Sequence, residues 1–271
     1  MTNLEAIVLG AVQGITEFLP ISSTAHLRLV PALAGWSDPG AAFTAVLQLG
    51  TLAAVLVFFA RDLGAMAQGA ARAALTPERR GDPEVRLIGK LIVGTIPVVV
   101  AGILFRKAIH GGLRALPVIA AAMIGVGIVL GVVERIAKHR KSFDDITWRD
   151  ALIIGLGQSL ALVPGVSRSG ITLLVAMAIG LRRDAAARFS FLLSIPAVAG
   201  AGIFEMKDVL HTKESLVPLL VGLAVAAATG YASIAWLLRY LRTRTTIPFV
   251  VYRVVAGILI FALIATGRIG G

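Results

Sequence analysis

The sequence predicts an all-α membrane protein that crosses the bilayer several times. Of its 271 residues, 57% are hydrophobic and 15% are charged, whereas soluble domains are about 45–50% apolar and 25% charged. Apolar runs long enough to cross about 30 Å of hydrocarbon recur along the whole chain. Backbone groups in lipid must bond internally, which leaves helices or a closed barrel. The runs are rich in Ala, Leu and Gly and lack the alternation of barrel strands, so helices are predicted.

Composition also excludes several other classes of protein. The absence of cysteine rules out a disulfide framework and a thiolate metal site. Residues 1–5 contain neither the basic stretch nor the cleavage site of a signal peptide. A net charge of +11 would suit nucleic acid, but the basic residues cluster between apolar runs rather than along one face. We therefore expect membrane lipid, and no nucleic acid, as a partner.

Six apolar runs are predicted to be transmembrane helices. They span 41–60, 88–105, 115–134, 187–204, 216–238 and 247–266. Two further regions, about 4–34 and 151–181, are apolar but interrupted by Pro20 and Pro164 with polar residues beside them. These two regions are predicted to be broken, re-entrant helical hairpins, an arrangement found at binding sites in membrane proteins.

The two halves of the single membrane domain, 1–271, resemble each other. The matching positions are Pro20, Ser23 and Thr24 with Pro164, Ser167 and Arg168, Arg61-Asp62 with Lys207-Asp208, and Leu116-Pro117 with Ile247-Pro248. We infer repeat 1 over about 1–149 and repeat 2 over about 150–271, each a broken hairpin plus three crossings. An odd number of crossings inverts the second copy, so the two hairpins would meet near the midplane.

The distribution of Lys and Arg predicts the orientation. Loops 61–90, 135–149, 182–188 and 239–244 lie on one predicted side and carry 17 basic residues. The other side carries seven: Arg28, Arg106, Lys107, Arg114, Lys207, Lys213 and Arg268. By the positive-inside rule the richer side is cytoplasmic, so the first hairpin opens outward. Arg168 and Arg253 fall inside the membrane region, where a charge costs about 2.5–3.5 kcal/mol. We expect a functional role for Arg168 and a packing or pairing role for Arg253.

The first polar motif runs from Gln13 to His26. Gln13 and Glu17 are four residues apart and share one helix face, so an amide and a carboxylate point at the same place. After Pro20 ends that helix, Ser22 or Ser23 can cap the next one and present free N–H groups to an anion. His26 follows Ser23 by three residues, near enough to polarise its hydroxyl. The motif thus supplies a metal carboxylate, a nucleophile and a base.

The second polar motif runs from Pro164 to Thr172. Glycines permit close backbone approach, while Ser167, Ser169, Thr172 and the guanidinium of Arg168 offer donors without an offsetting negative charge. Such a set favours an anion, and phosphate fits the fork of an arginine.

Each of these residues also has a purely structural interpretation. The hydroxyls after Pro20 suit a helix N-cap, and a lone His26 is often a structural residue. Glu17 could be the ion-pair partner of Arg168. Gln48, polar inside a predicted crossing, suits an interhelical hydrogen bond as well as a substrate contact. The joint occurrence of Glu, Ser, His and Arg in two broken hairpins favours function.

The motifs together resemble a known family. Gln13-x-x-x-Glu17 followed by Phe-Leu-Pro-Ile-Ser-Ser-Thr-Ala-His, with Pro-Gly-Val-Ser-Arg-Ser-Gly at 164–170, resembles the undecaprenyl-diphosphate phosphatases of the bacitracin-resistance type, over nearly the whole chain. The resemblance implies a phosphatase of the bacterial inner membrane that depends on a divalent cation, Mg²⁺ or Ca²⁺. Such an enzyme converts undecaprenyl diphosphate to undecaprenyl phosphate and inorganic phosphate, recycling the carrier lipid for peptidoglycan synthesis and conferring bacitracin resistance. The active site is expected to open to the periplasmic side.

The resemblance also assigns roles to individual positions. It makes Glu17, Ser23, His26 and Arg168 catalytic and places the metal on Glu17 and Gln13. The phosphate-binding set is Ser22, Thr24, Ser167, Arg168, Ser169 and Thr172. Gln13 stands where many members have glutamate, which removes one possible metal charge and leaves Glu17 as the main acidic ligand.

Several alternatives remain open at this point. Ser23, assisted by His26, would attack phosphorus, or His26 or Glu17 would activate water directly. The rival function is a transporter or flippase of a phosphorylated polyprenyl lipid, since such proteins also use broken helices in inverted repeats. Lipid phosphatases with a Ser-Arg pair and a distant His are disfavoured, because no histidine follows Arg168 before His211. A homodimer is compatible with the glycine-rich helices.

Overall fold

The computed structural model describes residues 1–105, 112–210 and 216–270, without the side chains at 41, 42, 112 and 205–210. The described part is helical, apart from an isolated bridge between Lys141 and Leu181. The helices are α1 Asn3–Phe18, α2 Ser23–Ala34, α3 Gly40–Phe58, α4 Ala60–Leu75, α5 Pro83–Leu104, α6 Leu116–Ile136, α7 Trp148–Ser159, α8 Arg168–Ala178, α9 Arg183–Leu210, α10 Leu216–Leu241 and α11 Ile247–Ala265, with short 3₁₀ turns at Pro77–Gly81, Gly112–Arg114 and Leu160–Leu162.

Five of these helices are long and apolar enough to cross a membrane, namely α5, α6, α9, α10 and α11. The sixth predicted crossing, 41–60, corresponds to α3, which forms a pair with α4 bent by 74° at Phe59. The prediction of a polytopic all-α membrane protein is therefore confirmed. The bend adds a feature that the hydrophobic runs did not predict.

The region 61–90 is not the loop that the sequence analysis expected. It forms α4, a 3₁₀ turn and the start of α5, which begins at Pro83 rather than at 88. In α4 the buried residues Met66, Gly69 and Ala73 recur every three or four positions. Its charged residues therefore belong to one face of an amphipathic helix, and reading them as loop charges was wrong.

The four loops predicted to share the cytoplasmic side do lie at one end of the molecule. Arg188 donates to Asp62 at 2.6 Å, which joins 182–188 to 61–90. Arg183 pairs with Glu134 at the end of α6, and Glu134 also accepts from Thr246. At the other end Asp38 pairs with Arg28 and Arg114. Of the other basic residues counted there, Arg106, Lys107 and Lys213 lie outside the described residues, as does the side chain of Lys207.

Both broken hairpins are present. The first breaks between Phe18 and Ser23, and the second between Ser159 and Arg168. The register inferred from sequence is off by one residue at the breaks. Ser22 and Ser167, not Ser23 and Ser167, are the N-caps of α2 and α8, with φ of 76° and 72°. The second break also contains a 3₁₀ turn, but the shift arises later, because the cap follows Pro20 by two residues and Pro164 by three.

The long arms of the hairpins pack in a reciprocal way. Helix α1 of the first half packs along α10 of the second half, and α7 of the second half packs along α5 of the first. At each contact a glycine faces backbone, because an added Cβ at Gly10 would meet the carbonyl of Gly222 and one at Gly155 would meet that of Gly94. An inverted repeat would produce this reciprocity, which supports the repeat as a proposal.

We expect Gly155→Ala to lower the free energy of unfolding in detergent by about 1–3 kcal/mol, because its Cβ would overlap the backbone of α5. Gly64→Ala is the matched control, since nothing lies within 4 Å of its added Cβ. That control should be neutral or more stable by about 0.5–1 kcal/mol, since it replaces a helical glycine. Equal effects in a denaturant titration would contradict the packing described for α7.

Candidate active site

Glu17 lies in the last turn of α1 and is buried. Gln13, one turn earlier, donates its amide to Oε2 of Glu17 at 3.1 Å and to Oγ1 of Thr51 at 3.4 Å. The shared helix face predicted from the four-residue spacing is confirmed. The carboxylate points at the broken end of the hairpin, where α2 begins.

Ser23, the first residue of α2, donates its hydroxyl to Oε2 of Glu17 at 2.5 Å. Ser22 occupies the N-cap position but makes no side-chain cap hydrogen bond, and its hydroxyl lies 3.1 Å from that of Thr24. A positive φ at a serine is strained, so the surrounding packing must hold this turn in place. In this conformation the Ser22 side chain makes no capping bond, and the Ser23 hydroxyl lies beside the Glu17 carboxylate.

The structure does not bring His26 to Ser23. Its Nδ1 lies 2.7 Å from the carbonyl oxygen of Ser22, to which it donates, and its Nε2 accepts from the hydroxyl of Tyr252 at 2.6 Å. The imidazole also stacks on the Tyr252 ring, with centroids 5.6 Å apart. The expected pairing of His26 with the Ser23 hydroxyl is therefore corrected, because both ring nitrogens are engaged elsewhere and Glu17 takes the hydroxyl.

Arg168 is the first residue of α8 and joins the two motifs. Its Nη2 donates to Oε1 of Glu17 at 2.9 Å, and its Nη1 donates to the carbonyl of Ser190 in α9 at 3.2 Å. Ser167 caps α8 by accepting from the N–H of Gly170 at 3.1 Å. The ion pair between Glu17 and Arg168, one of the two interpretations of Glu17, is thus present. Two helix N-termini, of α2 and α8, converge on one carboxylate.

The remaining predicted hydroxyls link the hairpins or brace α8. Ser169 donates to the carbonyl of Leu19 at 3.0 Å, and Thr24 accepts from the N–H of Gly165 at 3.4 Å. Thr172 donates to the carbonyl of Arg168 at 2.7 Å and lies 2.5 Å from the hydroxyl of Ser190. The predicted residues therefore form two hydrogen-bonded groups, one around Glu17 and Arg168 and one of Ser22, Thr24 and His26.

Comparison with known proteins shows which family the chain belongs to. Residues 6–259 match the family model described as Bacitracin resistance protein BacA. The chain belongs to this family. The relative named Undecaprenyl-diphosphatase in Myxococcus xanthus is 52% identical over 99% of this chain and 91% of that protein. Relatives of the same name in Prosthecochloris aestuarii and in a Nocardioides species are each 48% identical and cover at least 98% of both chains.

Three further residues contact the predicted site residues although their sequence positions did not point to them. Thr51 and Ser190 contact Gln13 and Thr172, and Tyr252 contacts His26. No spacing rule pointed to Thr51 or Ser190, because a single hydroxyl in an apolar run is unremarkable. Arg253 behaves as expected for a pairing residue, but its partners are backbone carbonyls of both breaks. Gln48 is half-buried and its carbonyl accepts from Thr51.

Two buried polar atoms near Glu17 bear on whether the site residues fit a divalent cation. Among the described residues no cluster of three or more His, Asp or Glu side chains exists. The buried Oε1 of Gln13, however, has no hydrogen-bond partner, and neither does Nε of Arg168. An open amide oxygen next to a carboxylate fits a hard cation that also uses phosphate oxygens and water. The open N–H of Arg168 fits an anion.

We expect His26→Gln to retain at least about tenfold more activity than Glu17→Gln, because His26 touches neither Ser23 nor Arg168. Phosphate release by the two purified variants checks this. If the two variants lost activity equally while both remained folded, His26 would have a chemical role that its contacts do not indicate.

Proposed function

We propose that this chain hydrolyses undecaprenyl diphosphate to undecaprenyl phosphate and inorganic phosphate, the reaction named in its relatives. One observation carries the proposal. The Ser23 hydroxyl of one broken hairpin and the Arg168 guanidinium of the other both lie within hydrogen-bond distance of the buried Glu17 carboxylate. A lipid diphosphate combines the two properties that such a site selects, an anionic head and an apolar tail.

Arg168 is the main phosphate-binding group in this proposal. The incoming head group would compete with Glu17 for the guanidinium, whose open Nε adds a further donor. The N-termini of α2 and α8 would supply backbone N–H groups to the same oxygens, together with the hydroxyls of Ser22 and Ser167. Charge stabilisation of this kind governs phosphoryl transfer, since the protein has little covalent chemistry to perform.

Ser23 is the nucleophile that the geometry favours, with Glu17 as its base. As Oγ attacks the terminal phosphorus, its proton passes to Oε2 of Glu17, which it already contacts. The bond from phosphorus to the bridging oxygen breaks, and undecaprenyl phosphate leaves. Glu17 gives its proton to the departing phosphate oxygen and is ionised again. It then takes a proton from water, which attacks the phosphoserine; the bond from phosphorus to Oγ breaks, Oγ takes the proton from Glu17, and inorganic phosphate leaves. The alternative, in which Glu17 activates water directly, leaves Ser23 as a positioning hydroxyl.

A bound Mg²⁺ or Ca²⁺ would neutralise phosphate charge in this site. Glu17 and the open Oε1 of Gln13 are the groups that would hold it. Because Gln13 replaces a carboxylate, the substrate's own oxygens would have to contribute more of the ligands.

A flippase of a phosphorylated polyprenyl lipid is the second candidate function. The reciprocal packing of α1 on α10 and of α7 on α5 favours it, since secondary transporters place their sites between such repeats. The contact of Ser23 with Glu17 favours hydrolysis instead, because transport of an anion does not require an activated hydroxyl.

We place the protein in the bacterial inner membrane, with the site open to the periplasmic side. The crowding of basic loops at the end where Arg188 pairs with Asp62 supports this orientation, as those loops would face the cytoplasm. Recycling of the carrier lipid for peptidoglycan synthesis, bacitracin resistance and assembly as a homodimer belong to the same proposal.

The purified protein should release phosphate from undecaprenyl diphosphate in the presence of Mg²⁺. Ser23→Ala and Arg168→Ala should each lower kcat/KM at least about 1,000-fold, because they remove the attacking hydroxyl and the cation that stabilises the transition state. Arg188→Lys is the matched control and should retain activity within about threefold, since Arg188 contacts Asp62 and the Phe143 ring, neither of which belongs to the site. Absence of release by the wild type, with transfer of the lipid between leaflets, would favour the flippase. Retention of activity in Ser23→Ala would favour direct attack by water.

A further inference from the structure

Arg253 lies near the middle of α11, and its side chain is fully buried. Among the residues that the structure describes, no carboxylate lies within ion-pair distance of it, unlike Arg168, which pairs with Glu17. A buried cation that is not neutralised is expensive in an apolar environment. Its contacts therefore have to explain why it is there.

The guanidinium donates to the backbone of both hairpin breaks. Its Nη1 donates to the carbonyl of Pro20 at 3.1 Å, and its Nη2 donates to the carbonyls of Gly165 at 2.9 Å and Val166 at 3.1 Å. Two further contacts reach α6, from Nε to the carbonyl of Met123 at 3.1 Å and from Nη2 to that of Ala122 at 3.4 Å. One side chain thus bridges α11, α6 and the two breaks.

These carbonyls need such a partner. A broken helix leaves carbonyls without their intrahelical donors, and lipid offers no water to replace them. Pro20, Gly165 and Val166 all lie outside the helices, between α1 and α2 or between α7 and α8. Arginine carries five N–H groups in a rigid fork, whereas lysine carries one compact ammonium. The guanidinium can therefore satisfy carbonyls from two chain segments at once.

The contacted carbonyls lie beside the reacting groups. Pro20 is midway between Glu17 and Ser23, three residues from each, and Val166 directly precedes the Ser167 cap of Arg168. The guanidinium also lies against the first turn of α8, because a Cβ added to Gly170 would come within 3.2 Å of Nη1. The position of Arg253 thus determines the backbone from which both halves of the site project.

We propose that Arg253 is a positioning residue that ties the two hairpin breaks together and so sets the separation of Glu17 and Ser23 from Arg168. It touches neither the phosphate nor the reacting atoms. Its effect on turnover rests on the proposed function, whereas its effect on the two breaks does not.

The test is Arg253→Lys, which keeps the charge and shortens the reach, with Arg188→Lys as the matched control. We expect kcat for undecaprenyl diphosphate to fall at least about 100-fold, the cost of misplacing reacting groups by about 1 Å. KM should stay within about threefold, because the apolar tail provides most of the binding free energy. Arg188→Lys should change neither constant, since Arg188 lies at the cytoplasmic end with Asp62.

Hydrogen exchange followed by mass spectrometry provides a readout that does not need activity. In Arg253→Lys, segments 19–23 and 163–167 should both exchange at least about tenfold faster, while α10 is unchanged. Faster exchange at neither break or at only one of them would overturn the proposal. So would faster exchange at both breaks with kcat unchanged.

Gly170→Ala tests the same contact while Arg253 is retained. Its new Cβ would press on the guanidinium and on Ser167, and alanine in a helix favours folding. The same faster exchange at both breaks is expected, and a change confined to α8 would overturn the proposal even if Arg253→Lys failed to fold. If the wild type released no phosphate, the proposed function would fail while the exchange results still decided the role of Arg253.

Discussion

The ion pair between Glu17 and Arg168 is the interaction on which the site depends. Each member belongs to a different broken hairpin, and the two oxygens of Glu17 face Arg168 and Ser23 at 2.9 and 2.5 Å. A buried charge in an apolar protein needs an opposite charge or hydrogen-bond acceptors, and loss of one partner from a buried ion pair costs about 3–5 kcal/mol. The pair therefore holds the hairpins together until an anionic head group offers Arg168 another partner.

The rest of the site satisfies backbone groups that the breaks expose. Ser169 donates to the carbonyl of Leu19, Thr24 accepts from the N–H of Gly165, and Arg253 donates to the carbonyls of Pro20 and Val166. Except for the bond from Arg253 to Val166, each of these bonds joins one half of the chain to the other. The strained serines at the two N-caps are fixed by these contacts, so the geometry for chemistry is prepared before substrate arrives.

Sequence reasoning succeeded where a local rule applied. The prolines with polar neighbours predicted both breaks, and the four-residue spacing predicted that Gln13 and Glu17 share a face. It failed where tertiary structure decides. The charged residues of α4 were read as a loop although they lie on an amphipathic helix, and the first break is one residue shorter than the second between its proline and its cap.

The orientation of the His26 ring also depends on tertiary contacts that local spacing does not reveal. Three residues from Ser23 it was within reach of the hydroxyl, but Tyr252, far along the chain, provides a partner for Nε2 and a ring to stack on. Ser190 likewise comes from α9, which no pattern linked to Thr172. Local spacing limits which groups can meet, and packing between distant helices selects among them.

A double-mutant cycle on Glu17→Gln and Arg168→Gln, measured as the free energy of unfolding in detergent without substrate, tests the central claim most directly. The described geometry predicts a coupling free energy of about 1–3 kcal/mol between the two positions. Additive effects, with a coupling free energy near zero, would contradict an ion pair that joins the two hairpins.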